Sequence, residues 1–502
     1  MTFLLVYLQT NNKLYVMYIR TLLLLIAIII HVSAGGADIY RMAFSGKTVS
    51  SADGLSSNTV YDMVQDNDGF MWMGASYGLC RYDGYSFVNY YSLGSERTRK
   101  IDATPGNLYH DSRNGLLWVH TSTFTFACYD LKKGRFADYT GRGDEHRSYR
   151  RFLLSGDDMW MYDTRSGIRH VSYKNGVFAC TDYTKSGGRL PSDTIARLVE
   201  DGRHNIWAFT SSGLLRIDST GKVHTVVAGR KYIMGNEYHG NVLCLSEDNT
   251  VEMFAPDGRL LRSVVIPPAL GNVRTIRSNF VWRDKWMVFS GETYCVDLNT
   301  WECSKPQQYQ VANGLLLDSA DGFFFESNSS GKLWIFAPDG SVRMLSLLPD
   351  MKFTAERQRK YNVRRGHDGL FYIASYGNGL FIYDHTTGAI RHLSASDEQA
   401  VIGSNYLTGL FVDRRGNIWA SQESAGVSCI SVTEQPVADI IMPAPGHKGD
   451  WANYVMMTAM KPDGSIVMST RDNKMYTMDA LTLTPGTPTE TKACAYAYMT
   501  DT

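Results

Sequence analysis

The feature that most constrains this chain is a repeat. The segment GLSSNTVYDMVQDNDGFMWMGASYGLCRYDGYSFVNY from Gly54 returns as IARLVEDGRHNIWAFTSSGLLRID from Ile195 and as LTGLFVDRRGNIWASQESAGVSCI from Leu407. A fainter copy, VRRGHDGLFYIASYGNGLFIYD, starts at Val363. Each copy sets an apolar strand before an Asp/Asn/Gly turn, then a second strand bearing an aromatic residue, a Ser/Gly loop, and a third strand ending in apolar-Asp. A fourth strand closes the unit. Turn residues supply positive φ and side-chain hydrogen bonds, while β-branched and aromatic residues favour the strands between them. The second-strand anchor falls at Trp72, Trp118, Trp160 and Trp207, then near Val251, Trp286, Phe324, Phe371, Trp419 and Ile466. A spacing of roughly 40 to 50 residues with four strands per unit is that of β-propeller blades, and such rings typically close with about four to eight blades.

Ten units therefore exceed one ordinary ring. The spacing predicts an all-β chain: a seven-bladed β-propeller over residues 36–350, with four antiparallel strands per blade, followed by an incomplete second propeller over 351–502. The polar stretch LLPDMKFTAERQRK, Leu347 to Lys360, is the expected junction. Residues Ala493 to Asp501, ACAYAYMTD, read as the first strand and turn of a further blade, so the chain is expected to be a fragment or a truncated gene product. At the other end, TLLLLIAIIIHV from Thr21 follows Arg20 and precedes Val32-Ser33-Ala34. That is a signal-peptide pattern over residues 1–34 with cleavage after Ala34; Met17 is the alternative start and an uncleaved anchor the alternative fate. Lys+Arg and Asp+Glu both number 50, so no basic field exists to attract nucleic acid, and membrane contact is expected only through the N-terminal segment or parts absent from this chain.

The unit at Gly54 and the one at Leu407 resemble the two-component regulator propeller repeat. The resemblance implies the periplasmic sensing portion of a hybrid two-component sensor of the kind found in gut Bacteroidetes. In that family two seven-bladed propellers precede a β-sandwich, a membrane span, a histidine kinase, a receiver and a DNA-binding domain, and members sense oligosaccharides from complex glycans to control genes for their use. For this chain the resemblance implies a periplasmic region that binds an oligosaccharide ligand, within a full-length homodimer anchored to the inner membrane. The kinase, receiver and recognition-helix motifs are missing from these residues, so only sensing carries over. A secreted propeller enzyme acting on glycans (a lyase or glycosidase) and a protein-binding propeller scaffold are the alternatives.

The residues give little chemistry. Asp66, Asp68, Asp201, Asp248, Asp321, Asp368, Asp413 and Asp463 recur at turn positions, which turn chemistry explains without catalysis. There is no H-E-x-x-H or phosphate-binding glycine motif, and no catalytic residue, metal ligand or cofactor is assigned. Ligand contacts are sought instead where the loop between second and third strands departs from the repeat. Tyr77, Arg165, Tyr376, Asn378 and Glu423 are larger or more functional than their counterparts, and Arg165 suits a carboxylate or sulfate. In TYCVDLNTWEC, a hairpin turn centred on Asn299 would set Cys295 opposite Cys303 for a disulfide, with two buried thiols as the alternative.

Overall fold

The computed structural model describes residues 39, 42–91, 104–140, 147–270, 273, 278–290, 292–306, 315–320, 322–327, 332–345, 347, 361–397, 399–434, 455–461, 463, 465–471, 473–479 and 489–490. The expected signal segment and the expected C-terminal blade start lie outside them, as does nearly all of the expected junction.

The described residues form ten four-stranded sheets and, apart from these, only short 3-10 turns. We number the sheets 1 to 10 in chain order: 60–91, 105–137, 151–183, 195–228, 232–265, 278–304, 315–345, 361–393, 407–434 and 455–490. In nine of them four consecutive strands pair in chain order, so the all-β, four-stranded reading of the repeat holds. Sheet 9 differs, because its local chain supplies three strands and Met42–Val49 supplies the fourth, beside Gly426–Glu434.

The repeat's turn explains why these residues fold this way. Asp201 Oδ1 accepts the main-chain N–H groups of Arg203 and Asn205 at 2.8 and 3.0 Å, which fixes the turn. Its Oδ2 accepts Asn205 Nδ2 at 2.8 Å and the buried indole Nε1 of Trp207 at 2.7 Å. One carboxylate thus ties the turn to the anchor of the following strand. Asp66 with Trp72 and Asp413 with Trp419 repeat the arrangement. Sheet 8 reaches the same end differently. Gly366 stands where the others have Asp, and Asp368, two residues later, accepts the Tyr372 hydroxyl at 2.6 Å. A Cβ on Gly366 would sit 2.4 Å from Asp368 Oδ1 and 2.6 Å from the Tyr372 ring, so the glycine and the displaced aspartate form one solution.

Packing joins neighbouring sheets among 1 to 9 face to face. Trp72 and Leu79 of sheet 1 bury with Leu117 and Tyr129 of sheet 2. Trp160 and Ile168 of sheet 3 pack on Leu198 and Ile206 of sheet 4, and Phe280 of sheet 6 stacks on Phe324 of sheet 7 at 4.2 Å. Val427 and Trp419 of sheet 9 share a core with Met63, Met73 and Tyr82 of sheet 1. The first strands are also stitched by polar bonds: Asp62 accepts the Leu108 N–H at 2.7 Å, Asn236 donates to Asn279 at 2.8 Å, and Thr408 donates to the Val60 carbonyl at 3.1 Å.

Phe323 and Phe325 of sheet 7 lie against Phe371 of sheet 8, so these two sheets pack on each other across residue 350. Strand Met42–Val49 joins sheet 9. The reason is an open edge: sheet 7 fills its fourth place locally with Val342–Leu345, whereas the three local strands of sheet 9 leave one edge unpaired. By compactness the chain divides into one unit of residues 45–382 with 392–431 and another of 1–44, 383–391 and 432–502, which contains sheet 10. Of the two readings of Cys295 and Cys303, the structure has the free thiols, with Cys295 opposite Ser304 and Cys303 opposite Val296. That one-residue offset puts the two sulfurs on opposite faces of the sheet. Cys295 packs with Phe280 and Phe336 toward sheet 7, and Cys303 with the core toward sheet 5.

Candidate functional site

Every four-stranded unit offers one end at which its second strand hands over to its third. The sequence candidates sit at that end, so the repeat itself decides where they lie. Tyr376 follows Phe371–Ser375 in sheet 8, and Glu423 follows Ile418–Gln422 in sheet 9. The two are 47 residues apart in the chain, yet the Tyr376 hydroxyl donates to the Glu423 carboxylate. A third residue completes the group. Tyr406 makes a backbone bridge to Tyr376, its ring meets the Tyr376 ring edge-on at 5.2 Å, and its carbonyl accepts the Glu423 N–H at 2.9 Å.

The remaining candidates are placed less closely. Asn378 lies two residues beyond Tyr376, and its carbonyl accepts from His392 Nε2 at 2.6 Å, which anchors the loop. Tyr77 is 61% exposed on the corresponding loop of sheet 1. Beside that loop, Tyr61 is 46% exposed and its hydroxyl lies 3.2 Å from Ser76 Oγ. Arg165 is exposed on sheet 3, where its N–H donates to Asp163 at 3.1 Å. Among the described residues no hydrogen bond ties Tyr77 or Arg165 to the Tyr376–Glu423 pair. Tyr61 and Tyr406 were not singled out from the sequence because one lies in a first strand and the other immediately before one, where the repeat gives no reason to expect exposure.

This group offers two tyrosine rings at right angles, a carboxylate and several hydroxyls, all reachable from solvent. Ring faces stack on the apolar side of a sugar, and the carboxylate accepts from its hydroxyls. The recurring aspartates are otherwise occupied, as Asp66, Asp201 and Asp413 each spend both oxygens on a turn and an indole. At the opposite end, a cleft of about 780 Å³ opens between sheets 9 and 1, lined among others by Lys47, Asn67, Asp68, Arg415 and Asn417. Arg414 crosses it and donates to the carbonyls of Asp66 and Asn67 at 2.6 and 2.8 Å, so its guanidinium serves the seam between sheets. Among the described residues no group of three or more His, Cys, Asp or Glu is placed to hold a metal ion. No helix among them is long and apolar enough to cross a membrane.

Residues 54–77, which hold the first strand, the Asp66 turn and the Trp72 strand of sheet 1, match the family model described as two component regulator propeller. That match spans one repeat. In three dimensions the chain is similar to the extracellular domain of the putative hybrid two component system BT3049 from B. thetaiotaomicron, at 15% identity and a TM-score of 0.34 over 89% of this chain and 67% of that one. It is similar also to the extracellular domain of the putative one component system BT4673 from B. thetaiotaomicron, at 13% identity, TM-score 0.34, over 90% and 74% of the two chains. BamB from Moraxella catarrhalis gives 13% identity and a TM-score of 0.39 over 77% and 98%. No curated protein matches the chain. What assigns the blades is the repeat itself and the strand order it produces.

Proposed function

We propose that this chain is the extracytoplasmic ligand-sensing region of a two-component sensor, and that its ligand is an oligosaccharide derived from a complex glycan. The observation that carries the ligand class is the Tyr376–Tyr406–Glu423 group, which combines stacking faces with a hydrogen-bonding carboxylate at an exposed end of sheets 8 and 9. The repeat matched over residues 54–77 supports the sensing role. In a full-length homodimeric receptor, a ligand that binds one arrangement of protomers more tightly than another biases the output by that difference in affinity. Kinase and DNA-binding functions belong to parts outside this chain.

Calorimetry against a panel of glycan oligosaccharides tests the reading. At least one saccharide is expected to bind and to be recovered unaltered. Tyr376→Ala and Glu423→Gln are each expected to weaken it about tenfold, the loss of one good stacking or charge-assisted contact. Absence of binding across the panel refutes the ligand class, and release of cleaved product favours a glycan-degrading enzyme.

A further inference from the structure

A second group of polar residues lies on the first strands of sheets 3, 4 and 5. Arg151 opens the strand Arg151–Ser155, and Arg197 is the third residue of Ile195–Glu200. Their nearness comes from one bond and one irregularity. Arg151 Nη1 donates to the Ala196 carbonyl at 2.6 Å, and Ala196 is the extra residue of a bulge that immediately precedes Arg197. The Arg151 guanidinium is thereby held against the main chain one residue before Arg197, within range for the two charges to repel. On its far side Arg197 Nη2 donates to Asn236 Oδ1 of sheet 5 at 3.3 Å.

Neither arginine has a carboxylate partner among the described residues. Arg197 Nε is buried and makes no hydrogen bond, whereas Arg151 is exposed. Burial lowers the basicity of Arg197, and the neighbouring charge of Arg151 lowers it further. Two like charges within repelling range, one with an unused donor, are unfavourable unless an anion joins them. A planar guanidinium fork offers paired N–H donors matched to the oxygens of a carboxylate or sulfate.

We propose that Arg151 and Arg197 form an oxyanion-binding site that takes the carboxylate or sulfate group of an acidic saccharide. The saccharide part rests on the sensing function above; the oxyanion part stands on the arginines. The site is on the same end of its sheets as Tyr376 and Glu423, since Arg151 pairs with Tyr162 and Ile195 with Thr210, both at the close of second strands.

The test uses the whole chain with three probes at matched ionic strength: sodium sulfate against sodium chloride, a uronate-containing disaccharide, and a neutral disaccharide. Sulfate and the uronate are expected to raise the unfolding midpoint, where chloride does not. Arg197→Gln and Arg151→Gln are each expected to weaken both about tenfold, Arg197→Lys to weaken them less, and Arg262→Gln, exposed on the strand Leu260–Val265 of sheet 5, to leave them within twofold. Without anion, Arg197→Gln is expected to unfold no earlier than the parent, because a repulsion is removed; Arg151→Gln, at an exposed position, reads the same site independently. Sulfate indistinguishable from chloride overturns the proposal, as does Arg197→Gln binding within twofold of the parent. Sulfate bound through both arginines with no saccharide bound keeps this site and refutes the sensing of glycans. A neutral saccharide bound equally by parent and Arg197→Gln does the reverse.

Discussion

Replacing Asp201 by alanine should cost this chain more than its place in a surface turn suggests. Asp201 is only 3% exposed, and its two oxygens accept four donors. Removing it leaves the main-chain N–H of Arg203 able to turn to water. It strands the indole N–H of Trp207, which is fully buried, and weakens the hold on Asn205. A buried donor left without an acceptor costs about 1–3 kcal/mol, and bonds to a charged acceptor lie at the upper end. Two such donors give about 3–5 kcal/mol for Asp201→Ala. Asp201→Asn keeps one acceptor oxygen and turns an amide N–H toward either the turn or the indole, so about half that loss is expected. Urea unfolding at pH 7, followed by far-UV circular dichroism, reads the difference. With a slope of about 3 kcal/mol per molar, the alanine midpoint should fall by about 1–1.5 M. Asp83→Ala is the control, for Asp83 accepts comparable turn bonds but is fully exposed, and its midpoint should stay at the parental value. An Asp201→Ala midpoint equal to that of Asp83→Ala would show that the indole bond is not what holds the repeat together.

Other positions give further expected outcomes. Glu326 is buried and accepts from Ser278 Oγ at 2.6 Å, and burial pushes its pKa up to about 8. Its folded-state pKa lies above its unfolded value, so the folded form holds the proton longer and stability should fall as pH rises from about 4.5 to about 8. Glu326→Gln should flatten that part of the pH–stability profile, and an unchanged profile refutes the assignment. Gly366→Ala should destabilise by about 1–3 kcal/mol through crowding against Asp368 and Tyr372, in thermal unfolding compared with the parent. Alkylation of the denatured, unreduced protein should label both Cys295 and Cys303, and a peptide joining them would refute the register.

The parts of the fold that local chemistry decides were legible in the sequence. An aspartate six residues before a tryptophan specifies the turn, the strand after it and the burial of the ring, and Asp66, Asp201 and Asp413 bear this out. The partner of Met42–Val49 was not legible, because it depends on which distant sheet lacks a fourth strand. The hairpin at Asn299 misled by one residue: a turn's approximate centre is readable, but a one-residue shift of register reverses every face. At the candidate site, loop residues that depart from the repeat pointed to Tyr376 and Glu423. Arg151 and Arg197 escaped notice because they stand within strands, and only the packing of adjacent sheets reveals that no carboxylate among the described residues pairs with them.

The late partner of the first strand also bears on how the chain reaches this state. Thr48 and Ser428 meet through their hydroxyls across 380 residues. During synthesis Met42–Val49 emerges first and has no place to pair until the strands of 407–434 exist. At about 5–20 residues per second that wait lasts roughly 20 to 80 seconds. Eight sheets can form from neighbouring strands in the meantime, so the long-range pairing is a late step of high sequence separation. An unpaired strand with an open edge is a site for joining another chain. Yield of the folded protein should therefore depend on keeping that first strand apart from other molecules until its own sheet is made.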